Sequence, residues 1–88
     1  MVKYKKTYLD YFGYGEQDFI PCEACGKEAV EVHHIYNRGK DKDVISNLMA
    51  LCRKHHNMAH GDLNHVDKSY FDYIHKSFLA GKRSVFIN

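Results

Sequence analysis

Cysteines at 22, 25 and 52 and a histidine at 55 constrain this chain more than anything else in it. A chain of 88 residues buries too small a core to hold itself folded by apolar contact alone, so a staple is expected. Three cysteines cannot all pair in disulfides within one chain. Cys22-x-x-Cys25 followed by Cys52-x-x-His55 is instead the spacing of a tetrahedral zinc set, with four donors and no open position. Two other readings compete. A thioredoxin-like redox motif would sit in a βαβ pattern, which the sequence lacks. Free cysteines could also be buried as small apolar groups, with His55 exposed. If zinc is the answer, folding and metal binding are one equilibrium.

The rest of the chain reads as a small α+β fold, a single domain over 1–88. Apolar residues make up 44% and charged residues 27%, the balance of a globular protein. No apolar run approaches the roughly 20 residues of a membrane span. The start, Met1-Val-Lys-Tyr-Lys-Lys, lacks the apolar stretch of a signal peptide, so a cytoplasmic location is expected. Tyr4, Tyr8, Leu9, Tyr11 and Phe12 recur at spacings of three and four, which predicts a helix over about 3–13 with its rings in the core and Gly13 at its end. Gly26 relieves the backbone after the first knuckle. A strand over 29–35 follows, with Val30 and Val32 on one face. His33 and His34 then point to opposite faces, because side chains alternate along a strand. Residues 36–46 are polar and aperiodic, a loop. A second strand is predicted at 47–51 and a short helix over 53–60, stopped by Gly61. A last helix over about 65–80 carries Val66, Tyr70, Phe71, Ile74 and Phe78 at helical spacing, with Asn64 as its cap, Asp67 at the third position after it, and Gly81 near its end. Val85, Phe86 and Ile87 form a tail strand or simply pack.

The 53–60 helix sorts the histidines. Residues on an α-helix turn about 100° per step, so His56 and His60 lie about 40° apart and can grip one ion. His55 lies about 140° from His60 and faces elsewhere, toward Cys52. Adjacent His55 and His56 are therefore expected to serve two different metals. Cys22, Cys25, Cys52 and His55 form the closed structural set. His33, His56 and His60 form a second set, three neutral imidazoles with an open position, which suits catalysis. His34 remains beside it as a general base, since an imidazole accepts a proton near neutral pH. His65 and His75 have no partners by spacing and are expected at the surface, one on a loop and one on the last helix.

These residues resemble the HNH endonuclease family, the ββα-metal nucleases, in its zinc-stabilised branch. The family pattern is a strand ending in (Asp/His)-His, a loop, an Asn-Leu step, a second strand, and a helix bearing the last His. Here these are His33-His34-Ile35, Asn47-Leu48, and Cys52-Arg-Lys-His55-His56 followed by His60, a motif core of about 22–61. The resemblance implies that His34 activates water, that His33, His56 and His60 hold the catalytic ion, and that Asn47 holds the loop so that His34 stays oriented. It also implies a DNA substrate approached through the minor groove. Two departures stand out. The second knuckle ends in His55 where relatives carry a fourth Cys. His33 replaces an Asp, which makes the site softer: imidazoles favour Zn²⁺, Ni²⁺, Co²⁺ or Mn²⁺ over the oxygen-seeking Mg²⁺.

A formal charge of +2 is too mild to announce nucleic acid alone. The lysines and arginines cluster, however, at Lys3, Lys5 and Lys6, at Arg38, Lys40 and Lys42, and at Lys82 and Arg83. Arg38, Lys40 and Lys42 are expected on DNA phosphates, with weak sequence specificity and salt-sensitive binding. The leading expectation is a monomer or weak dimer that nicks DNA or cuts both strands with weak specificity, with one strand nicked per encounter if the active species is a monomer. A non-catalytic zinc module for nucleic acid or protein is the alternative. A third reading is a subunit targeted by a partner protein, as in phage packaging or restriction.

Overall fold

The computed structural model describes residues 2–39, 41–61 and 67–81. Lys40, Asn64, His65, Val66, Lys82, Arg83 and the 85–87 segment lie outside the described residues.

Helix α1 spans Lys3–Phe12. Gly13 ends it at φ 74°, and the N–H of Tyr14 reaches back to Leu9 O at 2.9 Å, closing the last turn. Tyr4, Tyr8 and Phe12 form one i, i+4 row that faces inward. Tyr8 is fully buried, whereas Tyr11 lies off that row and is 56% exposed, so the expectation that every ring on this helix is core fails there. The knuckle follows. Cys22 N–H donates to Lys27 O, Gly26 N–H donates to Cys22 O, and Gly26 takes φ 84° to make the reversal.

Strands β1 (Glu31–His34) and β2 (Leu48–Leu51) pair antiparallel, with Val32 opposite Ala50 and His33 opposite Met49. The strand predicted over 29–35 is shorter, and Val30 lies outside it, 49% exposed, while Val32 is buried. A short 3-10 turn, Ile45–Asn47, leads into β2. All four β2 residues are buried because both faces of the ribbon are covered. Leu48 and Ala50 join Tyr8 and Val32 under α1. Met49 and Leu51 join Ile35, Met58, Phe71 and Ile74 on the other face.

Helix α2 spans Arg53–Ala59, and α3 spans Lys68–Leu79. Asp67 stands at the N-cap of α3, so this helix starts later than the expected 65. Phe71, Ile74 and His75 are its buried face. Phe78 meets Phe12 edge-on at 5.7 Å, tying α3 to α1. Among the described residues, two strands and three α-helices make a small α+β fold of the ββα-metal type. Among the described residues, no helix is long and apolar enough to cross a membrane.

His75 corrects the sequence reading. Expected on the helix surface, it is fully buried. It follows Ile74 and lies four residues after Phe71, so the helix turns it inward. Its Nδ1 lies 2.6 Å from Glu23 Oε1 and its Nε2 2.6 Å from Ile45 O. A carbonyl only accepts, so Nε2 carries its hydrogen and one proton is shared between Nδ1 and the Glu23 carboxylate. Tyr8 Oη donates to the other Glu23 oxygen at 2.6 Å. This buried network joins α1, the knuckle, the turn before β2, and α3.

Candidate metal centres and the histidine cleft

Strand alternation and helix pitch build the site together. On β1, His33 turns toward α2, where its ring lies 5.4 Å from that of His56 and 5.0 Å from that of His60. His34 turns the other way, toward α1, with its ring 4.7 Å from Tyr4. On α2, His56 and His60 lie one turn apart with their rings edge-on, their Nε2 atoms 3.1 Å from each other. His55 faces away into the core.

Among the described residues, two groups of donors result, each with its ligand atoms within 4.8 Å of one another: Cys22, Cys25, Cys52 and His55, and separately His33, His56 and His60. The first fits zinc by distance. Zn–S bonds of about 2.3 Å give tetrahedral edges of about 3.8 Å. Cys25 Sγ and Cys52 Sγ are 3.8 Å apart, as are Cys22 Sγ and His55 Nδ1, while Cys52 Sγ is 3.2 Å from His55 Nδ1. Burial pushes the Cys22 thiol up to about 12, and a coordinated cation reverses such a shift by stabilising the thiolate. Burial also raises the Cys52 thiol, but hydrogen bonds led by the His55 backbone N–H outweigh it and leave the group below its usual value.

In the second group His33 and His56 are half-buried and His60 is exposed, and the group opens on a cleft of about 290 Å³ lined by His33, His34, Arg38, His56, His60 and Lys68 among others. Burial, then the facing His60 and His56, hold His33 down at about 4. Burial and His60 also lower His56. Crowded imidazoles that resist protonation keep their lone pairs free at neutral pH, which is what a cation requires. Glu31 lines the same cleft. Burial raises its carboxyl, but Lys5 at 3.3 Å more than offsets that and lowers it.

His34 is 8% exposed. Its Nε2 lies 2.7 Å from Asp43 Oδ1, and its Nδ1, shielded from bulk water, has no hydrogen-bond partner among the described residues. A carboxylate accepts, so Nε2 carries the hydrogen and Nδ1 keeps a free lone pair. Asn47 binds both ends of the intervening loop. Its Oδ1 accepts from Tyr36 N–H, and its Nδ2 donates to Asn37 O and Lys42 O, each at 3.0 Å.

Of the expected phosphate contacts, Arg38 lines the cleft, the Lys42 side chain lines a separate depression near Asp72 and Lys76, and Lys40 lies outside the described residues. Sequence reasoning missed Asp43, Lys68, Glu23 and Tyr4. Asp43 sits four residues before Asn47 in a stretch with several acidic and basic groups, and nothing local marks it as the partner of His34.

Residues 22–62 match the family model described as HNH endonuclease. No curated protein and no solved structure matches the chain.

Proposed function

We infer, from an HNH endonuclease segment at residues 22–62 and the nuclease-type function it carries, that this chain is a metal-dependent DNA endonuclease working at the histidine cleft. One observation carries this reading. Three imidazoles converge from β1 and α2 on an open cleft, beside a fourth whose Nε2 is engaged by a carboxylate and whose Nδ1 is left as acceptor.

His33, His56 and His60 would hold a divalent ion, which would supply positive charge to offset that developing on the phosphoryl oxygens. An all-imidazole set favours Zn²⁺, Ni²⁺, Co²⁺ or Mn²⁺ over Mg²⁺. Once substrate binding brings water to the otherwise shielded Nδ1, His34 takes a proton from it there. The water oxygen bonds to phosphorus, the P–O bond to the 3′ oxygen breaks, and solvent protonates that oxygen. Asp43 holds His34 in the required tautomer and stabilises the imidazolium that forms. Asn47 keeps the 36–42 loop in register, so that Arg38 stays at the rim of the cleft. Arg38 and Lys68 bind phosphates on either side of the broken bond without reading bases. The Cys22, Cys25, Cys52 and His55 set holds structural zinc, and residues 1–88 act as one unit. A duplex approached through its minor groove and nicked one strand at a time fits a monomer of this size. A phage-packaging or restriction partner would then supply targeting.

The shielding of His34 favours the rival reading, a zinc module that binds nucleic acid without cutting it. Plasmid nicking across a panel of divalent ions separates the two. The endonuclease reading expects nicking that His34→Ala abolishes. Binding without nicking under every ion would establish the module instead.

A further inference from the structure

Tyr4 lies on α1, outside the segment that matches the HNH family, yet it touches two residues of the cleft. Its ring centroid is 4.7 Å from that of His34, tilted by 60°, and the Arg38 guanidinium carbon stands 5.7 Å from the same centroid. His34 and Arg38 both line the cleft, one as its shielded imidazole and the other at its rim. The ring is half-buried against the cluster of Tyr8, Val32, Leu48 and Ala50. One turn on, Tyr8 is anchored to Glu23 in the knuckle. Tyr4 is thus fixed to the core at its base and presents its ring to the site.

We propose that Tyr4 is a positioning residue of the active site, its ring bracing the face of His34 while its π surface holds the Arg38 guanidinium over the cleft. The inference rests on the endonuclease reading. Asp43 fixes His34 by one nitrogen only, and the packed Tyr4 face adds a second restraint on the orientation of the ring. Arg38 has a long side chain and, among the described residues, no carboxylate in ion-pair contact, so the cation–π contact with Tyr4 is what orders it. The catalytic unit then includes α1.

The test uses the full chain with zinc retained, and compares nicking kinetics of wild type, Tyr4→Phe, Tyr4→Leu, Arg38→Gln and the Tyr4→Leu/Arg38→Gln pair, with thermal midpoint and zinc content measured alongside. Tyr4→Phe keeps wild-type kinetics, because the ring and not the hydroxyl acts. Tyr4→Leu lowers kcat by about tenfold or more through His34 and raises KM through Arg38. Arg38→Gln raises KM less in the Tyr4→Leu background than in wild type. If Tyr4→Leu lowers the thermal midpoint, Tyr4→Met, which keeps bulk without a π face, is read by the same criteria. Wild-type kinetics in the leucine and methionine variants, equal losses in Tyr4→Phe, or an undiminished Arg38→Gln effect in the pair would overturn the proposal while leaving the endonuclease reading intact. Failure of the wild-type chain to nick would overturn both.

Discussion

Asp43 Oδ1 and His34 Nε2 are 2.7 Å apart, a contact that decides which nitrogen of His34 is basic. With the carboxylate accepting from Nε2–H, the lone pair resides on Nδ1. Asp43→Ala removes the preference, and Asp43→Asn can turn an amide N–H toward Nε2 and move the hydrogen to Nδ1. Both variants are expected to lose turnover, on the order of a hundredfold, with Asn no better than Ala. Single-turnover nicking at saturating metal checks this. Equal rates in wild type and both variants would remove Asp43 from the mechanism.

Acidification should weaken the folded state through His33. Its value in the folded chain, about 4, lies below the 6.5 of an exposed imidazole. Between those two values the unfolded chain binds a proton that the folded chain refuses, so stability falls as pH drops from about 6.5 to about 4. Loss of zinc in acid acts in the same direction, so the diagnostic is a difference. His33→Asn should show a shallower fall in thermal midpoint across that window than wild type. Parallel curves would contradict the assignment.

The His75–Glu23 pair is fully buried, and breaking it removes the imidazole that faces one carboxyl oxygen in a site shut off from water, while Tyr8 still holds the other. His75→Leu is expected to cost about 3–5 kcal/mol, and Glu23→Gln/His75→Leu together less than His75→Leu alone. Urea denaturation of the zinc-loaded protein measures both.

Metal at the Cys22, Cys25, Cys52 and His55 set should be inseparable from the fold. A strong chelator is expected to abolish the far-UV helix signal, and Cys52→Ser to reduce both zinc content and stability, whereas His55→Cys keeps both because four thiolates also suit zinc. Retention of a cooperative melt after zinc removal would contradict this.

What could be read in the sequence is what short-range geometry determines. The turn of a helix separates His55 from His56 within a few residues, and strand alternation separates His33 from His34. The capping glycines and the 22–61 motif core are equally local, and the family match at 22–62 coincides with them. The missed features join distant positions. His75 meets Glu23 across 52 residues, and Tyr4 meets His34 across β1 and α1. His75 looked like surface because histidine is polar and no spacing revealed a buried acid beneath it. Val66 extends the apolar period toward 65 in the sequence, whereas Asp67 takes the N-cap and α3 begins at Lys68.

Two separate metal centres and cleavage confined to the one in the cleft are what the donor geometry predicts. The most direct test is metal content by mass spectrometry together with plasmid nicking, on wild type and on a His56→Ala/His60→Ala variant. Wild type should hold two ions per chain and nick DNA, while the variant keeps one zinc and its fold but loses the second ion and the nicking together. A wild type that holds one ion, or a variant that still nicks, would contradict that prediction.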